Sequence, residues 1–278
     1  MANASIKKSA LELSSMLLPL FIRKRLAVRL SRLGCIDQQR RSWWAANLLR
    51  DFSESDINGY HKFLWSNHIF YAATYEPSLT FGPENMKKSR RIFFSDLKEV
   101  LLSMGIEPHK DVRSAFEVGC SLGYQLKYME EELFASAVTL EGVDIDEYAI
   151  RSGTEYLKKA GSKVKLHSGD MEGLERITGE RRFDVVVCTG VLMYLKEASA
   201  EDLVKMMLRR GKVLAISGLA HEEDNSCLQG SLVRERDGTF VHNIDSMVRK
   251  AGGKVLQRRW EGAKAVDGHT IYFVFASK

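Results

Sequence analysis

From about residue 111 onward, short runs of β-branched and aromatic residues alternate with amphipathic stretches at helical spacing. The runs predict strands at 114–118, 138–143, 163–167, 183–188, 212–217, 254–259 and 271–276. The stretches predict helices at 125–133, 147–159, 172–177, 200–209 and 243–251. Alternation of this kind implies a mainly parallel sheet covered on both faces. About ten residues separate the last two strands, whereas a parallel crossover needs roughly a dozen or more. The final strand is therefore expected to run antiparallel to its neighbour.

Before residue 111 the pattern is helical. Ile22, Leu26, Leu30 and Leu33 recur at helical spacing beside a stripe of Arg25, Arg29 and Arg32. Further apolar segments surround Trp43 and Trp44, run from Tyr60 to Tyr75, and run from Ile92 to Met104. All four prolines fall within the first 108 residues. These features place a boundary near Glu107 to Asp111, with a helical lid or substrate region over 1–110 and an α/β domain over 111–278. The connection from Leu219 to Val241 is longer than ordinary loops, which marks it as a candidate acceptor-site element.

Charge sharpens the division. Residues 1–110 carry 17 Lys/Arg against 10 Asp/Glu, and residues 111–278 carry 24 against 26. Within the first 50 the count is 10 against 2. Cys35, Cys120, Cys188 and Cys227 are widely spaced with no CxxC pair, so reduced thiols are the simpler reading than a disulfide scaffold. The histidines show no metal-ligand spacing, and no metal is expected. The apolar run Ser15 to Ile22 is broken by Pro19 and followed by Arg23-Lys24-Arg25, unlike a membrane span or a signal peptide. A cytoplasmic location is expected.

The sharpest motif is FEVGCSLGY, Phe116 to Tyr124. A strand ends at Glu117-Val118, a glycine turn follows, and a helix then presents free N–H groups to an anionic ligand. The dinucleotide fingerprint GxGxxG would need glycine at 121 and 124, where this chain has Ser121 and Tyr124. The pattern is ExGxSxG. It resembles the ExGxGxG loop of class I S-adenosylmethionine-dependent methyltransferases, with the middle glycine replaced by serine. Three further segments resemble that family in order: GVDIDEYAI (142–150), HSGDME (167–172) and FDVVVCTGVLMYL (183–195).

The resemblance implies a doubly wound, seven-stranded, mostly parallel sheet of order 3-2-1-4-5-7-6, with S-adenosylmethionine as cofactor and S-adenosylhomocysteine as product. It assigns Glu117, Gly119, Cys120, Ser121 and Gly123 to the cofactor turn. It also assigns Asp144 to the ribose hydroxyls, Ile145 to the adenine ring, Asp170 and Met171 to the adenine side, and Cys188, Thr189 and Gly190 to the methionine side. Ordinary structural roles compete at several positions. Glu117 could be a surface carboxylate, Asp146 is the better helix cap than Asp144, and Asp170 could cap, bind or do both.

For the chemistry, the reactive group belongs to the cofactor, and the protein must align an acceptor and exclude water. Many relatives carry His after the fourth strand, where this chain has Met193-Tyr194. His221, after the fifth strand, is the candidate base, against a solvated loop histidine; Tyr194 is a candidate pocket residue. Tyr71 and Tyr75 are candidates for closing over the methionine end.

The expected function is methyl transfer to an oxygen or nitrogen of a small-molecule acceptor, such as a saccharide or other biosynthetic intermediate. The alternative is a cofactor-binding protein without transferase activity that acts through a partner. The basic N-terminus admits a plain cap, contact with an anionic membrane, or nucleic-acid binding, ranked last because no recognised module is present. Oligomeric state cannot be read from the chain.

Overall fold

The computed structural model describes residues 18–33, 38–69, 73, 80–81, 86–170, 173–235, 237–262 and 271–278. The chain divides into two compact units, Met1–Thr74 and Tyr75–Lys278.

In the first unit, helices α1 (Leu20–Ser31), α2 (Gln38–Leu48), α3 (Arg50–Ser55) and α4 (Ile57–Ser66) enclose a small core of Ala27, Ala45, Leu48, Leu49 and Phe52. One arginine folds inward with the apolar residues. Arg23 is buried, donates to the Leu48 carbonyl at 3.0 Å and forms a forked ion pair with Asp51. The Lys24 ammonium lies 3.8 Å from the Phe52 ring centroid, a cation–π contact. Leu33, expected on the inner face, is exposed because α1 ends at Ser31 and no longer carries the helical periodicity past it. No helix among the described residues is long and apolar enough to cross a membrane.

The second unit is a seven-stranded sheet. Its strands are β1 (Ser114–Val118), β2 (Thr139–Asp144), β3 (Lys165–Ser168), β4 (Phe183–Thr189), β5 (Gly211–Gly218), β8 (Lys254–Trp260) and β9 (Tyr272–Ser277). Their order is β3-β2-β1-β4-β5-β9-β8. The five strands from β3 to β5 are parallel, and β9 runs antiparallel to both β5 and β8. Alternate residues feed two cores. Val185, Val187, Val213 and Ala215 face one, and Val186, Cys188, Leu214 and Ile216 face the other. This double burial explains why β4 reads as an almost continuous apolar run.

Helix α5 (Lys88–Ser103) and the short α6 (Pro108–Asp111) precede β1. Phe93 on α5 meets Phe273 edge-on at 5.1 Å and Phe275 at 5.4 Å, while Asp96 accepts from Arg259 at 2.6 and 2.8 Å. The sequence boundary near Glu107 to Asp111 is thus corrected: α5 buries its aromatic face in the core of the α/β unit, which begins at Tyr75.

Helices α7 (Tyr124–Tyr128), α8 (Glu147–Lys159), α9 (Leu174–Thr178), α10 (Glu197–Arg210) and α11 (Ile244–Lys250) connect the strands. Residues Met129–Leu133 continue α7 as a π-turn. The long connection after β5 contains a two-residue hairpin, β6 (Leu232–Val233) with β7 (Phe240–Val241). Buried Asn225 and Asn243 staple it. Asn225 donates to the carbonyls of Leu219 and His242, and Asn243 to those of Ser226 and Leu228.

Candidate active site

The site forms at the carboxyl ends of β1, β2 and β4, where a doubly wound sheet receives its ligand. After β1 the chain turns through Gly119 (φ 77°), Ser121 (φ 49°) and Gly123 (φ 81°). All three occupy the left-handed region that glycine tolerates and other residues resist. Serine thus keeps the bend that a middle glycine would make, at a cost in backbone strain. The N–H groups of Gly119 and Cys120 donate to the Val143 carbonyl at 2.8 and 3.1 Å, which ties the turn to β2. Gly153 on α8 packs against the Leu122 backbone so closely that a Cβ there would collide with it.

The Asp144 carboxylate bridges these segments. One oxygen accepts from the Ser121 N–H at 2.8 Å and the other from the Asp146 N–H at 2.9 Å. Burial raises its pKa to about 6 against the pull of those N–H donors. Asp146 instead caps α8, accepting from Ala149 N–H at 3.0 Å. The cap is thus Asp146, the better capping candidate of the two in the sequence.

Beneath the turn, Glu117 is fully buried. Gln125 on α7 donates to Glu117 Oε1 at 2.8 Å and to Thr189 Oγ1 at 2.7 Å, joining β1 to the end of β4. Glu117 Oε2 and Gln125 Oε1 are buried without a hydrogen-bond partner among the described residues. Burial, reinforced by the Asp144 charge, pushes the Glu117 pKa well above the carboxylate range, with Arg90 pulling it back in part. The Arg90 guanidinium sits 5.0 Å over the Tyr124 ring. Glu117 is therefore no surface carboxylate.

The remaining candidates fall into three groups. Cys188 is buried and pairs in register with Val118, while Gly190 (φ 71°) borders open space and Val191 closes over Gly119. Ile145 is half-buried beside Asp144, and Asp170 accepts from Gly173 N–H at 3.1 Å. Met171, Tyr71 and Tyr75 lie outside the described residues. Tyr194 is half-buried in the 3₁₀ turn Leu192–Tyr194.

His221 stands just beyond β5, but its Nδ1 accepts from Glu223 N–H at 3.2 Å. That bond places the ring proton on Nε2 and leaves no free imidazole lone pair, which argues against a base at this position. Two residues escaped the sequence reading. Gln125 was taken only as a helix start, and Arg90 precedes β1 by a whole helix, so nothing local links it to the turn.

The sheet order and this glycine turn are those of a Rossmann-like α/β methyltransferase fold. A family model described as a methyltransferase domain matches residues 115–212, from β1 to the start of β5. Among solved structures, the chain is similar to a SAM-dependent methyltransferase from Leishmania major, with a TM-score of 0.54 and 15% identity over 81% of this chain and 85% of that one. It is also similar to magnesium protoporphyrin IX methyltransferase from Synechocystis PCC 6803 with bound SAH, with a TM-score of 0.50 and 14% identity over 82% and 97% of the two chains. At these identities the likeness speaks to the fold. Comparison with curated protein sequences gives no match.

Proposed function

We propose that this chain transfers the methyl group of S-adenosylmethionine to an oxygen or nitrogen of a small-molecule acceptor, a saccharide or similar biosynthetic intermediate. The observation that carries this reading is the pair of buried oxygens, Glu117 Oε2 and Gln125 Oε1, that have no partner among the described residues. An unsatisfied buried acceptor costs about 1–3 kcal/mol, and an ammonium group offers the donors that would satisfy both. The methionyl part of the cofactor carries such a group.

The other residues fit the rest of that molecule. Each Asp144 oxygen spends one lone pair on a backbone N–H and keeps another for a ribose hydroxyl. Ile145 offers an apolar surface for the adenine ring, and Asp170 follows β3 at the same end of the sheet. Arg90 supplies positive charge for the methionyl carboxylate. The cofactor itself supplies an electrophilic methyl carbon on sulfonium sulfur. The chain's contribution is to hold that carbon in line with the acceptor lone pair. With the His221 imidazole lone pair committed to a backbone N–H, alignment bears most of the work.

Titration of the full chain with S-adenosylhomocysteine, followed by incubation with methyl-labelled cofactor and panels of polyols, sugars and amines, tests the proposal. Saturable binding and label on a hydroxyl or amine acceptor are expected. A folded chain that binds no S-adenosylhomocysteine, or that binds it and labels no such acceptor, would overturn it.

A further inference from the structure

We propose that the outer face of α1 docks this chain onto an anionic lipid bilayer. Helix α1 and its C-cap Arg32 carry five basic residues, which fall into two sets. Arg23 and Lys24 fold the first unit, one through its fork with Asp51 and the other over Phe52. Arg25, Arg29 and Arg32 are exposed and make no ion pair among the described residues. Their spacing of four and three residues stacks them on one helix face. Like charges at this spacing repel and cost the helix stability, so the stripe is not there to hold α1 together.

Phe21 lies on the same face, one turn ahead of Arg25, and is 59% exposed. It belongs to the apolar run Ser15 to Ile22 that leads directly into the basic cluster. An apolar segment joined to a row of guanidiniums matches the two layers of a bilayer surface. The aromatic ring enters the acyl boundary while the arginines meet lipid phosphates, which their planar fork binds in pairs of hydrogen bonds. Nucleic acid would use the charges but gain little from the apolar run. A lipid surface uses both.

Cosedimentation of the full chain with vesicles tests this independently of methyl transfer. The probes are vesicles of phosphatidylcholine alone and of phosphatidylcholine with about one-third phosphatidylglycerol. The chain should bind the anionic vesicles, ignore the neutral ones, and release when salt is raised several-fold. The combined variant Arg25→Gln, Arg29→Gln, Arg32→Gln should bind at least about tenfold more weakly with unchanged helical circular dichroism. Phe21→Ser provides a second variant with every charge intact, and it too should weaken binding. No binding, equal binding to both vesicles, or undiminished binding by these variants would overturn the proposal. Tighter binding to tRNA than to anionic vesicles at the same salt, lost in the triple variant, would assign the face to nucleic acid and overturn it as well.

Discussion

The Asp144 carboxylate accepts a 2.8 Å hydrogen bond from the backbone N–H of Ser121, so the acid that ends β2 also holds the turn that follows β1. Two motifs separated along the chain are joined through this contact. Asp144→Ala should weaken binding of S-adenosylhomocysteine by about 1–3 kcal/mol, the cost of leaving polar groups unpaired. Calorimetry on the folded variant checks it, and unchanged affinity would remove Asp144 from the site.

The raised pKa of Asp144, about 6, should give cofactor affinity a pH dependence if the carboxylate meets the ribose as proposed. Hydroxyl groups donate best to the ionised carboxylate, so affinity should rise with pH between about 5 and 7 and level off above that. The folded chain holds this proton more tightly than the unfolded chain. The residue's contribution to stability therefore declines as pH climbs from the ordinary 3.8 towards 6. An affinity flat across that range in wild type would contradict the assignment.

Burial and the Asp144 charge hold the Glu117 pKa well above its ordinary value in the free protein. Docking an ammonium group beside it should lower that pKa and so favour release of a proton. Calorimetric heats of S-adenosylhomocysteine binding at pH 7 should then differ between buffers of different ionisation enthalpy. Glu117→Gln should abolish the difference and weaken binding by about tenfold or more. Buffer-independent heats in wild type would refute the proton release.

Ser121 adopts φ 49°, a conformation that costs a side-chain-bearing residue roughly 1–2 kcal/mol. Ser121→Gly should remove that strain, less the entropy glycine loses on folding, for a net gain of up to about 1 kcal/mol. Ser121→Val should be destabilising, since a β-branched residue fits that region poorly. Thermal unfolding of both variants reads the order directly, and a glycine variant less stable than wild type would show that strain is not the governing effect.

Away from the site, Glu141 is buried between Arg181, at 2.7 and 3.0 Å, and His167, at 3.0 Å. Burial works to raise its pKa, but the hydrogen bonds from Arg181 and His167 outweigh it and leave the group below its usual 4.5. This contribution to stability is present above pH 4.5 and is lost as pH falls through the lower folded value. Arg181→Ala should cost about 1–2 kcal/mol, discounted because the arginine is half exposed. Urea titrations at pH 7 and pH 4 should show the wild-type advantage shrinking at the lower pH.

The sheet was legible because burial on both faces writes apolar runs into the chain, and the glycine spacing placed the turn. The strand predicted at 183–188 is observed at Phe183–Thr189, and the helix at 147–159 is observed without change. What the sequence concealed depends on distant partners. The hairpin β6–β7 has strands of two residues, too short to show any period. Helix α5 carries the pattern of any amphipathic helix, and only its contacts with Phe273 and Phe275 reveal which core it joins. Gln125 is an ordinary polar residue in the first turn of a helix until Glu117 and Thr189 are brought to it.

Strand β9 occupies the slot between β5 and β8, both of which are synthesised before it. During translation the edge of β5 stays bare until residues 272–277 have cleared the ribosome, leaving a row of N–H and C=O groups open to strangers. Nascent chains of this protein should therefore depend on a chaperone for that interval, and the closing of this seam marks when the sheet becomes safe from mispairing.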